Sequence, residues 1–325
     1  MNPSFTIAIP VYERLFGFEE ALQSARAVDG CTEILVADNH SSHNGFEKIC
    51  AAQNDPRIRY VRHDQNYGVY GNDNKCAQLA TGEFISILGG DDIIAPDIYE
   101  RFLKAYREMP QVDVFFGPYT TFTDTIEKAV IERPYPDGPV SSRQFLEDAV
   151  DLGMRFHVLC VARRERVVRS PFVTEPYCCS NDLHWIYTHA SQLNLYAHHR
   201  PLSYWRLHSA QDSAVYGDKR YDVFPFIYAS ISEQLQKMGS PKAKEAYQRA
   251  ERVILSLLVN DKVKNGFWRK RFSGPEADSN IFLAKAREII DRNWLLSSLF
   301  RSQTTWPVYY NLGRTYRKLK PMEGM

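Results

Sequence analysis

Between Phe5 and Asp92 the chain alternates strand-length apolar runs with amphipathic stretches, and this alternation restricts its fold more than any other feature. Phe5–Val11 (FTIAIPV) is apolar on both faces, the pattern of a central parallel strand, and Pro10 marks its end. Glu33–Asp38, Ile58–Val61 and Glu83–Leu88 read as further strands. Phe18–Ala27, Gly45–Gln53 and Asn72–Ala80 read as the helices between them. In the first of these Phe18, Ala21, Leu22 and Ala25 share one side, and Thr81-Gly82 stops the third. Strand, helix, strand, helix, strand, helix, strand predicts an α/β fold: a mostly parallel twisted sheet with right-handed crossovers, flanked by helices. Asp97–Glu108 adds a helix and Val112–Phe116 a strand.

Loops after the first, second and fourth strands of such a sheet share one edge, which gathers Tyr12, Asp38 and Asp91 into one crevice. Ligands of open α/β sheets bind at the carboxyl ends of the strands. The fourth strand closes on Gly89-Gly90-Asp91-Asp92. Paired acids there suit a hard divalent cation; Gly-Asp-Asp is equally good turn chemistry.

Further along, Ser142–Leu152 reads as helix and His157–Ala162 as strand, followed by Arg163-Arg164-Glu165-Arg166. Cys179–Trp185 leads into a helix through Ala190, and Ser203–His208 is strand-like. Tyr221–Met238, Lys242–Lys264 and Asn280–Trp294 read as helices, the first stopped by Gly239-Ser-Pro241. A boundary near residue 215 divides an α/β domain, 1–215, from a helical, basic and aromatic C-terminal region, 216–325. The chain of 325 residues has a net charge of +1, which gives no global bias toward nucleic acid. Its six cysteines form no Cys-x-x-Cys pair and show no zinc spacing, as expected in a reducing compartment. Without a signal peptide or an apolar run of about 20 residues, the expected location is cytoplasmic, at most peripheral on the inner face of the cell membrane.

Residues 4–210 resemble the inverting glycosyltransferases of family 2, which have the GT-A fold. The resemblance rests on Ile9-Pro-Val-Tyr12, Val36-Ala-Asp-Asn-His-Ser-Ser42, Asn66-Tyr-Gly68 with Asn74 and Ala80-Thr-Gly-Glu-Phe-Ile85, Gly90-Asp91, Asn181-Asp182, and Tyr204-Trp-Arg-Leu-His208. It implies a nucleotide-sugar half at about 1–116 and an acceptor half at about 117–215. On the nucleotide side it implies Pro10, Tyr12, Glu13, Asp38, Asn66, Asn74 and Gly90, with Asp38 accepting from the base. It implies Mn2+ or Mg2+ on Asp91 and His208, with Asp92 as an alternative ligand, and Asp182 as the catalytic base. Arg163, Arg164 and Arg206 are candidate contacts to diphosphate or acceptor. The donor implied is a nucleoside-diphosphate sugar, UDP-type by default. The acceptor is a saccharide or lipid-linked saccharide in surface-polysaccharide synthesis. Three positions depart from the pattern: Gly89 stands where the Asp-x-Asp motif has its first acid, and Asn39 and Asn181 stand where acids are usual.

Each of these residues also has a plainer reading. Asp91 is a turn residue, Asp38 a loop cap, and Asp182 a helix cap beside Ser180 and Asn181. Tyr12 and His208 pack, and Arg163-Arg164 is a solvated basic pair. In the C-terminal region, Lys262–Phe272, Trp294–Arg301 and Tyr316–Lys320 interleave bases with aromatics, which suits either an anionic membrane surface or packing; no nucleic-acid module accompanies them. Two rival functions follow: a non-catalytic saccharide-binding or scaffold protein on a transferase fold, motivated by Gly89, and a sugar-phosphate nucleotidyltransferase. The second lacks its glycine-rich loop, since Tyr12–Gly17 is poor in glycine.

Overall fold

The computed structural model describes residues 2–132, 134–154, 161–175, 180–209, 211, 223–260, 272–273 and 280–301. The chain forms two compact units that interleave along the sequence. One comprises Met1–Ser142, Arg155–Thr174 and Gln192–Gln211; the other comprises Arg143–Met154, Glu175–Ser191 and Asp212–Met325.

The first unit opens with β1 (Phe5–Val11), α1 (Phe18–Arg26), β2 (Glu33–Asp38), α2 (Gly45–Ala52), β3 (Ile58–Arg62), α3 (Val69–Leu79) and β4 (Phe84–Ile87). These four strands are parallel, in the order β3-β2-β1-β4. All of β2 and β4 is buried, and β1 nearly so, which is why their sequences are apolar on both faces. Helices α1 and α4 (Ile98–Glu108) pack Phe18, Leu22, Ile98 and Phe102 against Phe5, Ile7 and Phe84. β1 runs one residue beyond Pro10, because Pro10 and Val11 still pair with β2. On its other side the β4 pairing stops at Ala8↔Ile87, with Leu88 N bonding Ala8 O at 2.8 Å, so Pro10 lies past the end of that ladder.

Beyond β4 the chain continues through short strands that divide between two sheets. In chain order these are β5 (Ile93–Ile94), β6 (Val114–Phe116), β7 (Thr120–Phe122), β8 (Val130–Ile131) and β9 (Gly138–Val140), then β10 (Val161–Arg163), β11 (Leu195–Ala197) and β12 (Ser203–Arg206). The main sheet has the order β3-β2-β1-β4-β10-β6-β11-β9, with β10 antiparallel to β4 and β6, and β9 antiparallel to β11. A second sheet has the order β5-β12-β7-β8.

Three local expectations shift. Helix α3 starts at Val69 instead of Asn72, because Gly68 turns the chain at φ +74° and Tyr70 packs on Phe172. β6 starts at Val114, because Asp113 turns its carboxylate to Asn194 and Arg166. The strand expected to end at Ala162 includes Arg163, which still pairs with Phe84, and the rest of the basic run opens α6 (Arg164–Arg169). Of the strand expected at His157–Ala162, residues 157–160 lie outside the described residues.

The described residues of the second unit are mainly helical: most of α5 (Ser142–Leu152), then α7 (Asn181–His189), α8 (Val223–Lys237), α9 (Ala243–Asn260), α10 (Ile281–Arg292) and α11 (Trp294–Arg301). Gly239 at φ +65° ends α8, with Ser240 N bonding Leu235 O. The helix expected over Asn280–Trp294 ends at Arg292, and a second follows it over Trp294–Arg301. Asn280 caps α10 through Phe282 N and Leu283 N, and Asn293 caps α11 through Leu295 N and Leu296 N. No helix among the described residues is long and apolar enough to cross a membrane. The basic–aromatic runs 262–271 and 316–320 lie outside the described residues.

Candidate active site

The carboxyl edge of the parallel strands is where the chain concentrates unusual backbone and buried polar groups. Glu13 and His40, in the loops after β1 and β2, both adopt positive φ, at 55° and 69°. Non-glycine residues hold that conformation only where their surroundings impose it. Here Ser41 Oγ accepts from Glu13 N at 2.9 Å, the Glu13 carboxylate takes Ser42 N and Oγ at 2.8 Å each, and His43 Nε2 lies 2.7 Å from Glu13 O. The Ser42 bonds hold the Glu13 carboxyl below its ordinary range. The two loops are thus one body, on which Tyr12 stands half exposed.

Asp38 lies beneath this body and is fully buried. Its Oδ1 accepts Ser41 N and Oγ at 2.9 and 2.6 Å, and its Oδ2 accepts Tyr60 Oη at 2.6 Å. Asn39 is also buried. Its Nδ2 donates to Asn66 Oδ1 and Gly68 O at 2.9 and 3.1 Å, and its Oδ1 accepts Tyr67 N. An acid at position 39 has no proton for those two donations, so the departure here is what ties the 66–68 loop to the edge. Asn74 exchanges both amide bonds with the backbone of Phe172, at 2.9 Å each.

The acidic turn is assembled by the second sheet. β5 follows Asp92 directly and pairs antiparallel with β12 in the register Ser203↔Ile94, Tyr204↔Ile93. That register brings the end of β12 beside the turn: Arg206 N donates to Asp92 Oδ1 at 2.8 Å, and His208 Nε2 lies 2.7 Å from Asp91 Oδ2. Both His208 and Asp91 keep part of their surface open, 16% and 19% of the side chain. Arg206 is buried. It donates to Asp91 O at 2.8 Å, pairs with Glu20, and lies over the Phe122 ring at 4.6 Å, so it braces the turn from within. Phe16, 59% exposed, sets its ring against the edge of His208 at 5.3 Å.

Gly89 and Gly90 are explained by what surrounds them. A Cβ on Gly89 would lie 2.4 Å from Asp92 Oδ2 and 3.7 Å from Asp91 Oδ1; one on Gly90 would lie 3.3 Å from Pro10 O. The two carboxylates therefore converge on the space that a side chain at residue 89 would take. Burial, and then the neighbouring Asp91, push the Asp92 carboxyl well above the usual carboxylate range.

Arg163 and Arg164 are not brought to this edge. Arg163 pairs with Glu83 at 2.6 Å and Arg164 donates to Gly82 O at 3.0 Å, both at the amino end of β4. Asp182 lies in the first turn of α7, half buried, with Oδ1 accepting Leu183 N at 2.7 Å. Sequence reasoning missed Phe16, Glu20, Ser41 and His43. Short polar or aromatic loop residues carry no periodicity, and their partners lie far off in sequence.

Residues 6–167, just under half of the chain, match the family described as Glycosyl transferase family 2. Over 103 residues the chain is 32% identical to the succinoglycan biosynthesis protein ExoO of Rhizobium meliloti, covering 31% of this chain and 29% of that protein. Curated relatives of this kind are thus matched over only about a third to a half of their own length. The structure is similar to that of S. aureus TarS 1-349, with TM-score 0.62 at 15% identity over 98% of this chain and 92% of that one; TarS has also been solved with UDP-GlcNAc. It is likewise similar to the mannosyltransferase PcManGT of Pyrobaculum calidifontis in complex with GDP-Man and Mn2+, with TM-score 0.52 at 15% identity over 99% and 89%. The chain has a GT-A-like fold: a mostly parallel twisted sheet flanked by helices, with a helical C-terminal extension.

Proposed function

We propose that this protein is an inverting glycosyltransferase. It moves a sugar from a nucleoside-diphosphate donor, UDP-type by default, to a hydroxyl of a saccharide or lipid-linked saccharide. The observation that carries the reading is the Asp91–His208 pair, 2.7 Å apart at the carboxyl end of β4 and partly open. The donor set fits Mn2+ and, through its oxygens, Mg2+: a carboxylate and an imidazole side by side, with the Asp92 carboxyl converging on Gly89 in place of the missing first acid. Bound there, the ion supplies Lewis-acid stabilisation of the diphosphate leaving group. TarS in complex with UDP-GlcNAc and PcManGT in complex with GDP-Man and Mn2+ have a similar fold, which supports this assignment.

The chain's own residues divide the remaining work. Tyr12 offers an exposed ring to the nucleotide base, on the loops that Glu13 and Asp38 lock together. Arg206 holds the turn so that Asp91 and His208 keep their spacing. Asp182 takes the proton from the acceptor hydroxyl as its oxygen attacks the anomeric carbon opposite the diphosphate, which inverts that centre.

Thermal unfolding against UDP, GDP, CDP and dTDP, each with and without Mn2+, tests this. A ligand at a hundred times its Kd adds about 2.7 kcal/mol. Stabilisation by one diphosphate that requires Mn2+ and is lost in Asp91→Ala is the expected result. No stabilisation by any diphosphate would move the non-catalytic reading to the front.

A further inference from the structure

We propose that Asp137, His198 and His199 form a second divalent-cation site, suited to an imidazole-preferring ion such as Zn2+. It is distinct from the Asp91–His208 pair and independent of the transferase reading. Strand order places β10 and β6 between β4 and β11, so at the usual strand spacing the two sites lie roughly 14 Å apart along the same edge.

The site follows from the pairing of β9 with β11. These strands are antiparallel with Ala197 opposite Gly138, so Asp137, just before β9, comes level with the residues just after β11. A bond from His198 N to Phe116 O at 2.8 Å, together with the edge contact of its ring on Phe115, fixes His198. Asp137 Oδ1 accepts His199 N at 2.7 Å and lies 2.8 Å from His199 Nδ1 and 4.0 Å from His198 Nδ1. The two imidazoles stack at 13° with centroids 4.9 Å apart. Three ligand atoms thus converge within 4.8 Å of one another. Tetrahedral zinc with bonds of about 2.0–2.1 Å needs them about 3.3 Å apart, a change that side-chain rotation supplies.

The chemistry of the donors agrees with the geometry. His198 Nδ1 accepts Arg200 N–H at 3.0 Å, so it carries the lone pair that a metal requires. Binding displaces the Arg200 N–H from His198 Nδ1 and moves the His199 proton from Nδ1 to Nε2, freeing both nitrogens as ligands. The nearby cations Arg101 and Arg200 are both ion-paired with Asp97. Three protein ligands leave the fourth position to water or to an oxygen of a bound molecule.

The test is calorimetric titration of untagged, chelator-stripped protein with Zn2+, together with the visible spectrum of the Co2+ form. Wild type and an Asp91→Ala/His208→Ala variant are compared, the latter removing the other candidate site. One equivalent should bind in that background, with the spectrum of tetrahedral Co2+. Adding His199→Ala, or separately Asp137→Asn, should weaken binding by roughly 100-fold or more. Both side chains are about half exposed, so the fold should survive, as unfolding temperature would confirm. An isotherm unchanged by His199→Ala, or no binding in the Asp91→Ala/His208→Ala background, would overturn the assignment.

Discussion

Gly89→Ala is the sharpest probe of the acidic turn. Gly89 does not need positive φ, so the backbone itself accepts alanine and the cost is one of space. The new Cβ would sit 2.4 Å from Asp92 Oδ2 and 3.1 Å from its Cγ. Asp92 is 3% exposed, and its Oδ1 holds Arg206 N at 2.8 Å, so it has no free direction in which to move. Swinging it aside breaks a buried hydrogen bond, at about 1–3 kcal/mol. Leaving it in place overpacks the turn, at about 1–3 kcal/mol. The protein takes the cheaper of the two, which puts the loss at about 1–3 kcal/mol. For a domain of this size that is a fall in Tm of roughly 2–12 °C. Urea unfolding of wild type, Gly89→Ala, Asp92→Ala and the double variant measures it. In the Asp92→Ala background the clash is gone, and Gly89→Ala should cost less than about 1 kcal/mol. The reasoning is refuted if Gly89→Ala alone lies within about 0.5 kcal/mol of wild type, or if it costs the same in both backgrounds.

Asp182→Asn should cut the transfer rate by about 10²–10⁴-fold while the Kd for donor, measured calorimetrically, stays put; equal loss of both would make Asp182 a structural cap. Asn39→Asp exchanges two donations for repulsion from Asn66 Oδ1 and Gly68 O, and should cost about 2–4 kcal/mol in unfolding by denaturant; a neutral result would mean the 66–68 loop is held by something else. His184 is buried against Phe226 and Phe282, and burial lowers its pKa from 6.5 to about 4. The unfolded chain therefore takes a proton that the folded chain refuses: stability is full above about pH 6.5 and falls by up to about 3 kcal/mol as pH drops to about 4. His184→Phe should flatten that limb of a stability–pH curve, and an unchanged slope would count against the burial argument.

The parallel half of the sheet was legible because its cause is local. Strands covered on both faces must be apolar on both faces, and β1, β2 and β4 are. The same locality made Gly239 readable as a helix stop, and it made Asn293 available as a signal that a continuous apolar period hid. What was not legible depends on partners distant in sequence. The two residues of β5 carry no periodicity, yet their pairing with β12 is what sets His208 beside Asp91, 117 positions earlier. Arg163 and Arg164 look in sequence like anion contacts, and only the sheet shows Glu83 beside the first of them.

The departures from the family pattern carry the argument furthest. Gly89 lacks an acid because Asp92 reaches the space an acid would occupy. Asn39 lacks one because two acceptors face it. Each departure is thus one half of a pair whose other half lies elsewhere in the chain. Restoring the acid alone, at either position, should therefore harm the protein, and the Asp at 89 should become tolerable only when the carboxylate at 92 is removed with it. Stability of Gly89→Asp against Gly89→Asp/Asp92→Ser decides this: the double variant should be the more stable of the two by about 1–3 kcal/mol. If the single variant is the more stable, the carboxyl of Asp92 is not what excludes an acid from position 89.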